Sequence, residues 1–200
     1  MKIDFIFDFA SPNAYLCHKV IPGIENRTGK TFNYIPCLLG GIFKITNNQA
    51  PMLAFSGITN KLEYQNIEIA RFVQKHNLDK FTMNSFFPIM TLQLQRGAIA
   101  AISLNVFDQY IEAIFKGMWE ESLNLGDQDI LINLLTNETD IDIEMLVEKM
   151  QSQEIKDELI ENTNLAVEKG AFGIPTFFVD DKEIFFGKDS LIDLEEYIAN

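Results

Sequence analysis

Apolar residues crowd the start of the chain, where Ile3, Phe5, Ile6, Phe7 and Phe9 form a run that gives way to Ser11-Pro12. This predicts a buried strand over residues 2–9. Serine at 11 and proline at 12 read as the N-cap and first position of a helix that closes at Gly29 and Lys30. Residues 31–38 alternate as a second strand, with Pro36 marking an edge or an end. Together these segments make a β-α-β unit whose crossover is the helix.

From Gly40 to about Asn60 the pattern breaks, because Gly40-Gly41, Asn47-Asn48 and Pro51 interrupt every period, and an irregular segment is expected. Helical periodicity then holds for about a hundred residues. Phe107, Tyr110, Ile111, Ile114, Phe115, Met118 and Trp119 fall on one stripe, which reads as core. Further helices are predicted at about 61–76, 91–105, 127–136, 142–150 and 152–169, separated at Phe87-Pro88, Gly126-Asp127 and Thr139-Asp140. The tail returns to strands: Gly173 to Gly187 reads as a hairpin with Asp181-Lys182 near its turn. A last helix starts at Asp189 or Ser190, where Ser190-Leu191-Ile192-Asp193 has capping-box spacing. The order is β-α-β, a helical block, then β-β-α. It predicts an α/β domain built from residues 1–45 and 168–200, with residues 46–167 as an inserted all-helical domain.

Composition narrows the class. Two hundred residues, 47% hydrophobic with seventeen phenylalanines, can bury one sizeable core or a core with a smaller lobe packed on it. A net charge of -13 leaves no basic stripe, so neither nucleic acid nor an anionic membrane surface is expected as a partner. Met1-Lys2-Ile3-Asp4 puts an acid where a secretory peptide is apolar, and no run reaches the ~20 apolar residues of a membrane span. Cys17 and Cys37 have neither Cys-x-x-Cys nor metal-site spacing and read as buried small hydrophobes, which fits a reducing, cytoplasmic location. His18 and His76 are lone histidines far apart, no helix carries a metal-ligand pair, and no metal is expected.

Four stretches carry a resemblance. They are Phe7 to Leu16 (Phe-Asp-Phe-Ala-Ser-Pro-Asn-Ala-Tyr-Leu), Phe87 to Leu92 (Phe-Pro-Ile-Met-Thr-Leu) with Arg96, Gly170 to Asp180 (Gly-Ala-Phe-Gly-Ile-Pro-Thr-Phe-Phe-Val-Asp), and Phe185 to Leu191 (Phe-Phe-Gly-Lys-Asp-Ser-Leu). Spread in this order over nearly the whole chain, they resemble the 2-hydroxychromene-2-carboxylate isomerases and kappa-class glutathione S-transferases. That group sits in the DsbA-like (disulfide-oxidoreductase A) branch of the thioredoxin fold. Ser-Pro alone is a common helix start; its combination with Gly-x-Pro-Thr about 160 residues later is specific.

The resemblance implies a thioredoxin-like domain with a helical insertion, glutathione as cofactor, a small hydrophobic electrophile as second substrate, and a homodimer. In redox members of the fold the position of Ser11 holds the attacking cysteine and that of Ala14 the resolving one. Both thiols are absent, and disulfide exchange needs a thiolate, so dithiol chemistry is excluded at this site. As a plain cap Ser11 contributes ~1 kcal/mol. The role implied by resemblance is catalytic: its hydroxyl donates to the glutathione sulfur while the helix end supplies partial positive charge. A dipole contribution of ~1 to 2 kcal/mol is roughly one pKa unit, which brings a thiol from about 8.5 to roughly 7 and half-ionises it at neutral pH.

The resemblance also makes Pro175 a cis proline, with Ile174 presenting backbone groups to the cysteinyl unit of glutathione as a short added strand. Asp189 and Ser190 are implied to hold the γ-glutamyl end, although Ser190 stands where relatives often have arginine. Asn48 and Lys61 match further glutathione contacts. Met90 replaces a frequent asparagine, so no polar second-substrate contact is assigned there. Local sequence reads Ser190 equally well as a cap, and Asn48 and Lys61 as surface residues. Two other functions stay open: a non-catalytic thioredoxin-like protein that binds glutathione or a peptide, and an oxidoreductase using Cys17 or Cys37. Cys17, six residues past Ser11, is turned about 240° away from it around the helix.

Overall fold

Strand β1 (Ile3–Phe7) is the centre of the molecule and is buried at all five positions. The computed structural model describes residues 1–199. β2 (Asn33–Pro36) pairs parallel with β1, β3 (Thr176–Val179) pairs antiparallel on its other side, and β4 (Glu183–Phe186) completes a sheet of order β2-β1-β3-β4. Helix α1 (Pro12–Thr28) is the crossover between β1 and β2, capped by Ser11 and closed by Gly29 at φ 67°. Pro36 ends an edge strand, where its missing N–H costs no ladder bond. Side chains on both faces of β1 and β3 are covered, which is why these strands are uninterrupted apolar runs broken only by Asp4 and Thr176.

The expected irregular segment begins with a helix instead. α2 spans Leu39–Thr46 and includes Gly40 and Gly41, and α3 is a single turn at Pro51–Ala54. The two glycines, read as breakers, serve packing: a Cβ on Gly41 would lie 2.9 Å from the Thr163 methyl, so its absence lets α2 approach α9 (Gln153–Glu168). Tertiary burial here overrides glycine's weak helix propensity. The remaining helices fall close to their predicted places: α4 (Lys61–His76), α5 (Leu92–Ser103), α6 (Phe107–Trp119), α7 (Gln128–Glu138) and α8 (Ile143–Gln151). α10 (Leu191–Ala199) follows a 3₁₀ turn at Lys188–Ser190 and packs on α1.

The helical block does not stand apart. One continuous core runs from β1 and β3 through α5 and α6 to Leu134, Leu146 and Leu159 of the outer helices. The α6 stripe is buried from Tyr110 to Trp119, with Phe107 partly covered. α5 meets α6 at Gly97, where a Cβ would lie inside the Tyr110 hydroxyl, itself donating to the Leu94 carbonyl at 2.9 Å. α1 is tied to α6 by a polar chain that runs from buried His18 out to a half-exposed carboxylate. His18 joins Tyr34 (Nδ1, 2.9 Å) to Glu112 (Nε2, 2.8 Å), Lys19 donates to the same carboxylate at 2.7 Å, and Tyr15 donates to Glu120 at 3.0 Å.

Two outcomes follow from this packing. Gly97→Ala overpacks the α5–α6 crossing and is expected to cost about 3 kcal/mol in denaturant unfolding. Hydrogen bonds from His18 and then Lys19 pull the Glu112 carboxyl down to about 2. A depressed carboxylate stabilises the fold above its ordinary pKa and loses that contribution as pH falls towards 2. Glu112→Gln is therefore expected to cost about 1 kcal/mol at neutral pH, water screening its half-exposed carboxylate, and the gap from wild type to close between about pH 4.5 and 2.

Candidate active site

The C-terminal end of β1 delivers the chain into a turn that is buried and held from several sides. The Ser11 N–H donates to the Asp8 carbonyl at 3.0 Å, closing the turn that starts α1. Ser11 itself is 4% exposed, in extended conformation, and its Oγ accepts from the Ala14 N–H at 3.2 Å as a cap does. The same hydroxyl donates to the carbonyl of Ile174 at 3.3 Å. Residues 163 apart in sequence thus meet at the helix start, and the Ile174-Pro175 bond is cis. At 3.3 Å this contact is longer than a strong O–H···O bond, so the proton can turn to another acceptor at small cost.

Pro12 has no N–H, Ala14 donates to Ser11 side chain and carbonyl, and Tyr15 donates to the Ser11 carbonyl. The Asn13 N–H is the first-turn donor left without a partner among the described residues. Together with the dipole of a 17-residue helix this favours an anion beside Ser11. Ile174 also keeps its N–H unpaired among the described residues, which fits pairing with an added extended backbone.

Asn48 reaches the same loop: its side-chain amide donates to the Phe172 carbonyl at 2.8 Å. The rings of Phe172 and Phe186 meet at a tilt, centroids 4.4 Å apart, and both remain about half exposed, as is Phe86, while Met90 is 79% exposed. The Pro175 carbonyl accepts from Gly187 at 2.9 Å, so the cis-proline loop also anchors the 3₁₀ turn of Lys188–Ser190. Ser190 does not form the capping box its spacing suggests, because it lies within that turn and its hydroxyl donates back to the Gly187 carbonyl at 2.8 Å. Asp189 is exposed and accepts from the Lys188 ammonium at 2.6 Å. Lys61, at the start of α4, packs its ammonium over the Phe55 ring and, among the described residues, makes no hydrogen bond or ion pair with the other candidates.

Sequence reasoning missed the residues that hold this arrangement. Lys188 is 5% exposed, its ammonium 5.3 Å from the centre of the Phe72 ring. With Asp189 it lines a cavity of about 410 Å3 between α1, α4 and α10, whose other walls include Val20, Ile24, Arg71 and Phe72. Ser11 does not line it. Asp8 is buried and accepts from Ala10 N–H (2.9 Å), Leu39 N–H (2.8 Å) and the Thr91 hydroxyl (2.6 Å); burial pushes its carboxyl up against the pull of these donors. Gln95, fully buried, donates to the carbonyls of Phe7 (2.7 Å) and Cys37 (2.6 Å), and Trp119 donates to that of Phe9 (3.0 Å). The visible signal was an acid at the end of an apolar run and a glutamine on the buried face of a helix.

These features define a thioredoxin-like fold with a helical insertion, carrying an N-cap serine beside a cis-proline loop. Residues 2–199 match the model of the DSBA-like thioredoxin domain, and the chain belongs to that family. It is 26% identical to a 2-hydroxychromene-2-carboxylate isomerase of Sphingobium xenophagum, over 99% of this chain and 98% of that one. It is 23% identical to glutathione S-transferase kappa 1 of Caenorhabditis elegans, over 94% and 86%. Among solved structures, a 2-hydroxychromene-2-carboxylate isomerase superposes with a TM-score of 0.84 at 22% identity, covering 99% and 94% of the two chains. Pseudomonas aeruginosa DsbA superposes at 0.60 and 18%, covering 99% and 81%. These structural likenesses establish the fold. No helix of the described residues is long and apolar enough to cross a membrane.

Both cysteines are buried and unpaired, and burial pushes each thiol well above its ordinary range. In the native protein neither Cys17 nor Cys37 is expected to react with an aromatic disulfide reagent at neutral pH, and both react after unfolding, as followed by release of the coloured thiol.

Proposed function

We propose that the chain is a glutathione-dependent enzyme of the 2-hydroxychromene-2-carboxylate isomerase and kappa glutathione transferase type. Its full-length relatedness to isomerases and to a transferase supports an enzyme of this class. The observation that carries the reading is the Ser11 hydroxyl at the start of α1, loosely bonded at 3.3 Å to the carbonyl before the cis proline. Ser11 turns its proton from Ile174 to the glutathione sulfur, and the helix start holds the thiolate charge. The Ile174 backbone pairs with the cysteinyl unit, with Asn48 bracing the loop through Phe172.

Asp189 accepts from the γ-glutamyl ammonium, and Ser190 with its turn faces the adjoining carboxylate. Lys188 supplies at this end a positive charge that Ser190 cannot. Lys61 reaches a carboxylate at the other end of the tripeptide. A conjugated electrophile rests against the exposed apolar side chains of Met90 and Phe172. The thiolate adds to it, and either leaves after rotation or ring opening, giving an isomer, or remains bonded, giving a conjugate.

Calorimetry is expected to detect glutathione binding, with Asp189→Ala weakening it about tenfold, the worth of one charge-assisted hydrogen bond. Ser11→Ala is expected to lower turnover ten- to a hundredfold, on the order of one developing-charge donor, with a fold loss of only ~1 kcal/mol. No heat at millimolar glutathione, or binding of an extended peptide in its place, would overturn the reading in favour of a non-catalytic module.

A further inference from the structure

The turn that presents Ser11 is held by a side chain with no part in capping or ligand contact. Asp8 sits three residues before the serine, 2% exposed, and all three of its hydrogen-bond partners are donors: Ala10 N–H and the Thr91 hydroxyl on Oδ1, Leu39 N–H on Oδ2. Its own carbonyl accepts the Ser11 N–H. The carboxylate therefore joins the β1–α1 turn, the first residue of α2 and the residue that precedes α5. Thr91 is 6% exposed and follows directly on exposed Met90. A side chain that accepts from three donors at once is satisfied only as a carboxylate; an amide would turn an N–H towards one of them.

We propose that Asp8, through its bond to Thr91, is a positioning residue for the Ser11 hydroxyl, so that the helical insertion sets the geometry of the thiol site. The inference rests on the glutathione reading above and assigns a role to residues that reading leaves unused. A purely structural tie would move stability alone. A positioning tie also changes how strongly bound glutathione is held as the thiolate, because a misdirected hydroxyl no longer meets the sulfur in line.

The test uses the full chain with glutathione alone, and follows the ultraviolet thiolate band of the bound thiol as pH is varied. Thr91→Val keeps shape and removes the hydroxyl. It is expected to lower the ratio of thiolate to thiol in bound glutathione at neutral pH about tenfold, the effect of one hydrogen bond to a charged group. Glutathione binding at pH values where the thiol is neutral stays unchanged. Thr91→Ser restores the wild-type titration, and Asp8→Asn shifts it in the same direction as Thr91→Val. A wild-type thiol titration in Thr91→Val with lowered thermal stability overturns the positioning role and leaves a structural tie. Failure of Thr91→Ser to restore the titration overturns it as well. Absence of glutathione binding by the wild-type protein overturns the parent reading and this one with it.

Discussion

The central strand ends inside the protein, and peptide groups that leave a sheet without reaching water have to find partners there. Beyond Phe7, β1 has no further pairing, yet residues up to Phe9 are buried. The Phe7 carbonyl accepts from the Cys37 N–H and also from Gln95, Asp8 takes the Ala10 N–H, and Trp119 takes the Phe9 carbonyl. Two of these partners, Gln95 and Trp119, come from the helical block. The requirement to satisfy one short stretch of backbone thus places α5 and α6 over the end of the sheet, and their packing brings the rest of the block with them.

Much of this was legible in the sequence, and the exceptions have a common cause. Ser11-Pro12 and Ile174-Pro175 announce themselves locally, because a helix start and a proline turn are properties of adjacent residues. Asp8 announces little: two of its three partners lie 31 and 83 residues away, and an acid in an apolar run has no period to betray where it points. Gly40-Gly41 misled for the same reason, since the value of Gly41 lies in the Thr163 methyl it makes room for and not in its own backbone preference. Lys188 reads as a surface charge next to an acid, but its side chain is buried with the ammonium over the Phe72 ring.

On the reading proposed above, one scaffold serves two chemistries. With a cysteine at the helix start the thiolate belongs to the protein. With Ser11 there, and with Cys17 and Cys37 shut in the core, the sulfur has to come from a ligand. What would change is the owner of the sulfur, while the helix start and the cis-proline loop stay in place.

The two bonds from Gln95 bear on how such a molecule can be rebuilt. An inserted block is commonly treated as a cassette, to be excised or transplanted between scaffolds. Here an excision would leave the buried Cys37 carbonyl without its donor and the Phe7 carbonyl with the Cys37 N–H alone, a loss that no loop of glycine and serine makes good. A transplant in the opposite direction has to carry Thr91, Gln95 and Trp119 as a set, in register with the end of the recipient's first strand.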